Sequence, residues 1–498
     1  MSHQERSFGQ TMPQEPLRIC LASSELAPLA KTGGLADVVS ALSSFLDGKG
    51  HDIRVLLPLY SSIDRSGMDI APVQFMQDLA MQMGPHRVRY SIDTAQLPGS
   101  TLRIYLLRCP ELYNRPGIYT SGWDEHLRFI LLSRAAIEMC QSMGFAPDIF
   151  SCHDWHTSLV PMYLKTRYAW DRLFANTRSV LTIHNIGYQG IFSAEILNDI
   201  GMQEQVDKLH QEDLGKGMIN FLKTGLLYAD VLTTVSPNYA QEIRGPEYGM
   251  GLQEVLQQRS DSLVGILNGV DYREWNPADD PLIPHNYDSR RIAGKKKNKL
   301  ALMQELSLDC SDDMPLIGMV TRLTGQKGID LVQQLVPAMM GHRRFALAVL
   351  GSGEPHYEQF FQWLQNQYRD RVCFYRGFSN KLAHRIEAGS DMFLMPSLFE
   401  PCGLNQMYSL RYGTVPIVRR TGGLADSVQL FDPHSGQGTG IVFNDYNVPA
   451  LGWALNYGFD LYQDKKTWRK LVRNGMAMDF SWERQGQVYI DLFRHITR

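Results

Sequence analysis

Two nearly identical glycine loops, KTGGLADVV at residues 31–39 and RTGGLADSV at residues 420–428, stand far apart in the chain. In each loop a cation precedes Thr-Gly-Gly, and a helical pattern follows. Glycines let the backbone approach a ligand closely, and free N–H groups of a first helical turn attract anions. Each loop alone is equally consistent with a tight strand-to-helix turn that needs glycine only for its conformation. Because the loops match, we expect them to converge on one anion-binding cleft from opposite sides.

Cations and a carboxylate follow predicted strands in the second half of the chain. TRLTGQKG places Arg322 and Lys327 just beyond a strand, where ligands of open α/β sheets bind and where two cations suit a diphosphate. A surface loop with two solvated charges is the alternative. FEPCGLNQ places Glu400 on a strand-to-helix turn, where a carboxylate can hold sugar hydroxyls or stabilise a developing positive charge. The N–H groups after Gly403 can hold a phosphate.

Metal-binding and nucleotide-binding patterns are weak or absent. His153 and His156 lie three apart in SCHDWHTS without a third ligand nearby in sequence, so hydrogen-bonding or structural roles are favoured over metal binding. The chain has no Asp-x-Asp, a common divalent-cation motif of sugar-nucleotide enzymes, and no G-x-x-x-x-G-K-[ST] or dinucleotide fingerprint. We therefore expect no metal, and expect Lys31, Arg322 and Lys327 to neutralise a leaving diphosphate together with helix N-termini.

The elements that must position these residues alternate regularly. Apolar runs rich in β-branched residues are separated by helical patterns, which is typical of a parallel sheet covered by helices on both faces. The runs are RICLASSE, DIRVLLPL, LRIYLLRC, DIFSCHDW, RSVLTIHN and DVLTTVSP in the first half, and PLIGMVTR, ALAVLGSG, RVCFYRGF, DMFLMPSL and TVPIVRR in the second. The predicted fold class is therefore α/β.

Composition excludes several classes of protein. A chain of 498 residues favours two or more domains. Its net charge of -3 gives no electrostatic reason to expect nucleic acid or an acidic membrane as partner. Seven scattered cysteines without a C-x-x-C pair argue against a disulfide framework or a zinc ribbon and favour a reducing compartment. With a polar start and no apolar run long enough to span a bilayer, we expect a cytoplasmic protein.

A domain boundary is expected in residues 268–313, which are rich in Asn, Pro, Asp and Lys and lack a strong strand pattern. The basic run GKKKNK at 294–299 is interpreted as a solvated helix start rather than an interaction patch. The end of the chain predicts an amphipathic helix, because its apolar residues have helical spacing. Those residues are Val488, Tyr489, Leu492 and Phe493.

The motifs together resemble the family of bacterial glycogen synthases and plant starch synthases. Over nearly the whole chain they occur in family order: SSELAPLAKTGGLADV, HDWH, HNIGYQGIF, YGMGL, GILNGVDYREWNP, TRLTGQKG, FEPCGLNQ and VPIVRRTGGLADSV. The resemblance implies a GT-B fold, in which two Rossmann-like domains face each other across a deep cleft. The expected divisions are 1–16 as a flexible tail, 17–273 and 274–479 as the two domains, and 480–498 as a helix crossing back to the first domain.

The same resemblance implies transfer of glucose from ADP-glucose to the nonreducing end of an α-1,4-glucan such as glycogen, with retention and without metal or other cofactor. Glu400 would be the catalytic carboxylate, Arg322 and Lys327 would hold the diphosphate, and His153 would contact the donor sugar. The other expected donor-binding residues are Lys31, Gly33, Gly34, Asp37, Asn268, Phe378, Cys402, Gly403 and Leu404. Further cleft residues would be Asn185, Tyr188, Thr421, Gly422 and Gly423. A homo-oligomer is left open.

Two positions depart from the family pattern. Phe378 stands where a tyrosine near the adenine is frequent, so ring stacking can persist while a hydroxyl contact is lost. Asn405 stands where threonine is usual, which replaces a hydroxyl with an amide beside the phosphate pocket. These departures leave the donor selectivity open.

Three other functions would keep part of this pattern. A UDP-sugar transferase would keep Arg322, Lys327 and Glu400 but would not need KTGGLAD or HNIGYQG. A glucan-binding scaffold descended from the enzyme should have lost charged cleft residues, and none of these is missing. A pyridoxal-phosphate glucan phosphorylase shares the sugar chemistry, but its members are much longer and have a cofactor-lysine motif that this chain lacks.

The chemistry expected of such a transferase is mainly electrostatic. Cleavage of the anomeric C–O bond builds positive charge on the sugar and negative charge on ADP. Retention by double displacement would need a second carboxylate as nucleophile, and the sequence assigns none. Attack by the acceptor 4-hydroxyl on the same face, guided by the departing phosphate, is therefore favoured.

Overall fold

The computed structural model describes residues 15–309, 311 and 313–498. The first 14 residues of the predicted tail and Cys310 lie outside the described residues. Strands are found at the following positions: β1 Arg18–Ala22, β2 Asp52–Pro58, β3 Ala71–Pro72, β4 Leu79–Met83, β5 His86–Gln96, β6 Arg103–Arg108, β7 Ile149–His153, β8 Arg178–Ile183, β9 Ile191–Ser193, β10 Met218–Asn220, β11 Val231–Thr234, β12 Leu263–Gly265, β13 Leu316–Val320, β14 Ala346–Gly351, β15 Val372–Arg376, β16 Met392–Met395, β17 Val415–Arg419 and β18 Ile441–Phe443.

Helices alternate with these strands along most of the chain. They are found at the following positions: α1 Gly34–Gly48, α2 Pro110–Tyr113, α3 Glu125–Ser142, α4 Asp154–Thr157, α5 Leu159–Lys165, α6 Gln211–Gly215, α7 Phe221–Tyr228, α8 Pro237–Glu242, α9 Gln253–Gln258, α10 Ala293–Glu305, α11 Ile329–His342, α12 Pro355–Gln367, α13 Asn380–Gly389, α14 Asn405–Tyr412, α15 Gly422–Ser427, α16 Val448–Gln463, α17 Lys465–Met476 and α18 Trp482–Ile496.

Two large sheets organise the described residues. The first has the order β12-β11-β8-β7-β1-β2-β6-β5-β3, with β4 paired to β5. Its strands from β12 to β6 are parallel, whereas β3, β4 and β6 pair with β5 in antiparallel fashion. The second has the order β15-β14-β13-β16-β17-β18 and is parallel throughout. The expected domain boundary at 273 falls between the last strand of the first sheet and the first strand of the second.

Every apolar run predicted to be a strand contains one, so the α/β prediction is confirmed. Central strands such as β7 and β14 are buried along their whole length, because helices cover both faces of a parallel sheet. The sequence reasoning missed β5, whose polar residues alternate with buried ones because it lies in the antiparallel margin of the first sheet. It also missed β4, which pairs with β5 in the same margin, and the strands of two or three residues, which are too short to show a pattern.

The interpretation of the basic run 294–299 as solvated is wrong for two of its lysines. Lys299 in α10 donates to the carbonyl of Met314 at 2.7 Å and pairs with Asp391 at 2.7 Å. One turn earlier, Lys295 donates to Thr414 Oγ1 at 2.6 Å, and burial lowers the pKa of its ammonium to about 7. A spacing of four places both lysines on the helix face that packs against the second sheet.

Helix α18 packs against α1, beside the first sheet. Gly486 lies against the ring of Phe45, and Lys49 pairs with Glu483 at 2.7 Å. The predicted amphipathic helix is confirmed, with Tyr489 and Phe493 buried, but Val488 is 43% exposed and does not belong to the packed face. Among the described residues, no helix is both long and apolar enough to cross a bilayer.

One apolar cluster joins the two halves of the chain. It contains the core of the first sheet, the buried face of α18, and second-half residues on the side that faces the first sheet. These second-half residues include Met407, Leu410, Val418, Leu424 and Val428. The outer part of the second sheet has its own apolar clusters. This shared cluster therefore packs the two halves of the chain against each other.

Candidate active site

A cavity of about 1470 Å³ lies between the two halves. Its lining comes from loops that follow β1, β7 and β8 in the first sheet and β13, β14 and β16 in the second. Ligands of open α/β sheets bind beyond the carboxyl ends of parallel strands. The cavity brings together fourteen of the predicted site residues: Lys31, Gly33, Gly34, Asp37, Asn185, Tyr188, Asn268, Arg322, Lys327, Phe378, Glu400, Cys402, Gly403 and Leu404.

The first glycine loop is held by a carboxylate inside the protein. Buried Glu25 accepts hydrogen bonds from the N–H of Thr32 at 2.7 Å and from the N–H of Gly33 at 3.2 Å. The hydroxyls of Thr32 and Tyr119 donate to its other oxygen, each at 2.6 Å. Glu25 therefore accepts hydrogen bonds from N–H groups that the sequence analysis expected to bind a ligand anion. Lys31 lines the cavity at the head of this loop.

Lys31 and Asp37 form an ion pair at the cavity wall, with Nζ and Oδ1 2.7 Å apart. The Lys31 side chain is 46% exposed. Burial raises the pKa of Asp37, and the neighbouring ammonium opposes that shift. The pair presents a cation on the first-sheet side of the cavity whose position is set by the start of α1.

The second glycine loop does not line the cavity. Thr421, Gly422 and Gly423 are buried, and the N–H of Gly422 donates to Glu242 of the first half at 2.9 Å. Thr421 Oγ1 donates to the same carboxylate at 3.1 Å. In this structure the loop packs behind the segment that carries Glu400, so of the two glycine loops the first lines the cavity and the second does not.

His153 also does not reach the cavity. It is the last residue of β7 and is fully buried, with Nδ1 3.0 Å from His184 Nε2 and Nε2 3.2 Å from Ser151 Oγ. Burial lowers its pKa to about 3, so the imidazole is neutral at ordinary pH. The expected contact of His153 with a donor sugar is not supported by this geometry, because its neighbours His184 and Asp154 line the cavity and His153 does not.

Asp154, just after β7, organises the wall beside His184. Its Oδ1 accepts from the N–H of His184 at 2.7 Å and of Asn185 at 3.3 Å. Burial raises the pKa of this carboxyl to about 7. Asp154 has a φ of 53°, a left-handed conformation that is uncommon outside glycine and often occurs at functional sites. The side chain therefore fixes the backbone that presents Asn185 to the cavity.

A cation and a carboxylate meet on the second-sheet side. Lys327 Nζ lies 2.6 Å from Glu400 Oε2, and Ser397 Oγ donates to the same oxygen at 3.0 Å. Glu400 is only 5% exposed, so the pair lies in a low-dielectric setting where charge interactions are strong. Lys327 is placed by a short turn whose Gln326 donates to the carbonyl of Phe399 at 3.3 Å. The turn that carries Lys327 and the loop that carries Glu400 therefore stabilise each other's position.

Arg322 and Phe378 lie at the rim of the cavity. Both are exposed, Phe378 to 74%. Within the part of the chain that the structure describes, the Arg322 guanidinium makes no hydrogen bond or ion pair, so it can receive a charged ligand. Asn405, the second departure from the family pattern, donates its amide to the carbonyl of Val320 at 2.7 Å. Its side chain thus braces the end of β13.

Two buried polar atoms in the cavity wall lack a protein partner. None of the described residues supplies a hydrogen bond to Asn268 Oδ1 or to His156 Nδ1. His156 stacks on Tyr119 with ring centroids 4.7 Å apart. A buried polar atom without a partner is unfavourable unless a ligand or water satisfies it.

The loop from Cys402 to Leu404 leads into α14. Gly403 has a φ of 70°, and the Gln406 amide donates to the carbonyls of Cys402 at 3.1 Å and of Gly403 at 2.9 Å. Burial raises the pKa of the Cys402 thiol to about 12, so the thiol is not a nucleophile. Across residues 15–309, 311 and 313–498, no group of three or more His, Cys, Asp or Glu side chains has the arrangement of a metal site.

Sequence reasoning missed many residues of the wall, and three of them are buried or partly buried hydrogen-bonding residues. Glu25, Tyr119 and Asp154 line the cavity, and each makes hydrogen bonds that shape it. Glu25 and Asp154 follow β1 and β7 directly or within three residues, so the position after a predicted strand was an available signal. Tyr119 lies between α2 and α3 and has no such signal.

Comparison with protein-family models shows two matches. The model of the starch synthase catalytic domain matches residues 18–258, and the model of group 1 glycosyl transferases matches residues 307–477. Glycogen synthase 1 of Geobacter sulfurreducens is 45% identical to this chain, and the glycogen synthase of Desulforudis audaxviator is 42% identical. Each comparison covers 97% of both chains.

Solved structures include similar proteins. The catalytic domain of starch synthase IV from Arabidopsis thaliana, bound to ADP and acarbose, has a TM-score of 0.90 at 33% identity. The match covers 97% of this chain and 100% of that one. A sucrose-phosphate synthase from Thermosynechococcus elongatus has a TM-score of 0.60 at 18% identity, over 97% of this chain and 99% of that one, and is alike in fold alone.

Proposed function

This chain belongs to the glycogen and starch synthase family of GT-B glycosyltransferases, and we propose that it elongates an α-1,4-glucan with glucose from ADP-glucose, releasing ADP. The names of its bacterial relatives indicate glycogen as the acceptor. The structure of a plant relative holds ADP and acarbose, which supports a nucleotide and a saccharide as the two ligands of the cavity. The solvent-exposed ring of Phe378 can stack on a nucleobase at the rim.

The observation that carries this proposal is the Lys327–Glu400 pair in the cavity wall. Departure of ADP from the anomeric carbon leaves negative charge on the phosphate and positive charge on the sugar. Lys327 and the unpaired Arg322 provide cations for the phosphate, and Glu400 provides a carboxylate for the sugar. Lys31 on the opposite wall adds a cation from the first half. The cavity therefore matches the charge distribution of a glycosyl transition state.

Donor-sugar hydroxyls have defined candidate partners. Asn268 and His156 line the cavity, and their buried atoms Oδ1 and Nδ1 lack a hydrogen-bond partner among the described residues. A hydroxyl can donate to one and accept from another group nearby, which removes the penalty of an unsatisfied buried atom. We assign Asn268 to the donor side because it lies beside Cys402. His156 then takes a sugar on the first-sheet side.

Retention follows from same-face attack in this proposal. The acceptor 4-hydroxyl would approach the face from which ADP departs, and the leaving phosphate would take its proton. The Glu400 carboxylate is engaged by Lys327 and Ser397, which suits charge stabilisation better than nucleophilic attack. No metal or other cofactor has a role, since side-chain cations neutralise the diphosphate. The reaction would take place in the cytoplasm.

The test is the initial rate of ADP release with glycogen as acceptor, measured with ADP-glucose and, separately, UDP release with UDP-glucose, each in EDTA. We expect turnover with ADP-glucose only, no loss of rate in EDTA, and a product that α-amylase digests. Omission of glycogen should stop ADP release and serves as the control for hydrolysis.

Each contrary result points to a different function. Preference for UDP-glucose would identify a UDP-sugar transferase and give Phe378 and Asn405 a role in donor choice. Loss of rate in EDTA that Mn²⁺ restores would contradict the metal-free mechanism. Absence of turnover with either donor, with glycogen still bound, would favour a glucan-binding scaffold.

A further inference from the structure

The second glycine loop forms a junction between the two halves rather than part of the cavity. Helices α8 and α15 lie antiparallel, and each receives a carboxylate from the other at its N-terminus. Glu242, the last residue of α8, accepts from the N–H of Gly422 at 2.9 Å. Asp426 in α15 accepts from the N–H of Asn238 in α8 at 2.9 Å. This reciprocal contact, which we call the α8–α15 junction, joins the first sheet's half to the second's.

On its other side, α15 contacts the backbone that carries Glu400. The N–H of Gly423 donates to the carbonyl of Glu400 at 3.2 Å and to that of Pro401 at 3.1 Å. A side chain on Gly422 would place its Cβ 1.9 Å from the Glu400 carbonyl oxygen, so α15 and this segment are in direct backbone contact. Gly422 also has a left-handed φ of 42°, which favours glycine at this position.

A second connection starts from the last residue of α15. Ser427 Oγ accepts from the Gln406 amide at 3.0 Å. The same amide donates to the carbonyls of Cys402 and Gly403. The helix thus supports the segment from Glu400 to Gly403 at both ends, while Glu242 from the first half holds the start of the helix. No atom of Glu242 lines the cavity.

We propose that Glu242 is a positioning residue for glucosyl transfer, acting through Thr421 and Gly422 on the segment that carries Glu400. The inference rests on the proposed function, because the rate of transfer is its main readout. Its physical reason is geometric: a displacement of about 1 Å at a catalytic group can lower a rate about 100-fold without preventing binding. Glu242 also links the two halves, so it makes the position of Glu400 depend on how the first half is docked.

The test compares Glu242→Ala with Glu242→Gln, and uses Glu254→Ala, an exposed carboxylate on α9, as the matched control. We expect Glu242→Ala to lower kcat about 10- to 100-fold with KM for ADP-glucose changed less than about threefold. Glutamine keeps an oxygen that can accept from Thr421 and Gly422, so Glu242→Gln should recover most of the rate. Glu254→Ala should match the wild type.

Two further measurements keep the result interpretable. Thr421→Val removes one donor while preserving shape, and should lower kcat in the same direction but less; if Glu242→Ala fails to fold, this variant carries the test. Amide hydrogen exchange in residues 398–410 should rise in Glu242→Ala, a readout that needs no activity. If the wild type is active and Glu242→Ala changes neither kcat nor amide exchange, the inference about Glu242 is wrong and the proposed function still stands. An inactive wild type would instead contradict the proposed function, and exchange would still test the role of Glu242.

Discussion

At the scale of single residues, the contact between Lys327 and Glu400 can serve both the stability of the site and its chemistry. A carboxylate that is 5% exposed is unfavourable without a charged partner, and Lys327 supplies that partner at 2.6 Å. In the proposed reaction the same ammonium would also stabilise the negative charge that develops on the leaving phosphate. One side chain can therefore stabilise the resting site and the transition state, which makes its removal informative.

Lys327→Ala should lower kcat by about 100- to 1000-fold, the usual effect of removing one preorganised electrostatic group from an active site. If the cation acts chiefly in the transition state, KM for ADP-glucose should change little. Steady-state rates of ADP release measure both constants. Lys381→Ala, which removes an exposed lysine of α13 near the rim, is the matched control and should behave like the wild type. A change confined to KM would contradict the assigned role.

Positions just after strands could be predicted from the sequence, but side-chain direction could not. Arg322, Lys327 and Glu400 follow strands of a parallel sheet, so the pattern alone places them at the ligand-binding edge. His153 is still within β7, where successive side chains alternate between faces, and its ring points to His184 inside the protein. Asp154, one residue later, lines the cavity, whereas His153 is fully buried and does not.

At the scale of elements, the two Thr-Gly-Gly loops show that one local sequence can serve two environments. Both present N–H groups to a glutamate, Glu25 in the first loop and Glu242 in the second. Their local chemistry was predictable, because glycine turns before a helix bind anions. Which anion binds was not, because Glu25 reaches the first loop only through the turn that follows β1, and Glu242 is 180 residues from Gly422 in sequence. The first loop borders the cavity, and the second lies at the α8–α15 junction.

The packing of α18 on α1 predicts whether a glycine-to-alanine substitution in α18 raises or lowers the stability of the protein. Alanine in place of glycine within a helix usually stabilises by about 1 kcal/mol. A Cβ on Gly486, however, would lie 2.4 Å from the ring of Phe45. Gly486→Ala should therefore destabilise the protein by about 1 to 3 kcal/mol, as overpacking does. Thermal unfolding checks the sign, with exposed Val488→Ala on the same helix as control; a higher melting temperature would show that α18 is not packed in this way.

At the scale of the whole molecule, the alternation of strands and helices was predictable, but the shared core was not. Apolar periodicity shows that a face is buried, not which partner covers it. The cluster that contains the first sheet also contains Met407 and Leu424 of the second half, together with Tyr489 of α18. With the α8–α15 junction, this continuity ties the stability of each half to the other.

We therefore expect one calorimetric transition for the whole chain. Leu181→Ala in the core of the first sheet and Leu347→Ala in that of the second should each destabilise by about 2 to 5 kcal/mol and shift this same transition. If the cavity binds ADP through both halves, ADP at about 100 times its Kd should stabilise both variants by about 2.7 kcal/mol and move the transition without splitting it. Two endotherms, with each variant lowering only its own, would show that the halves unfold independently and that the shared core contributes little to their coupling.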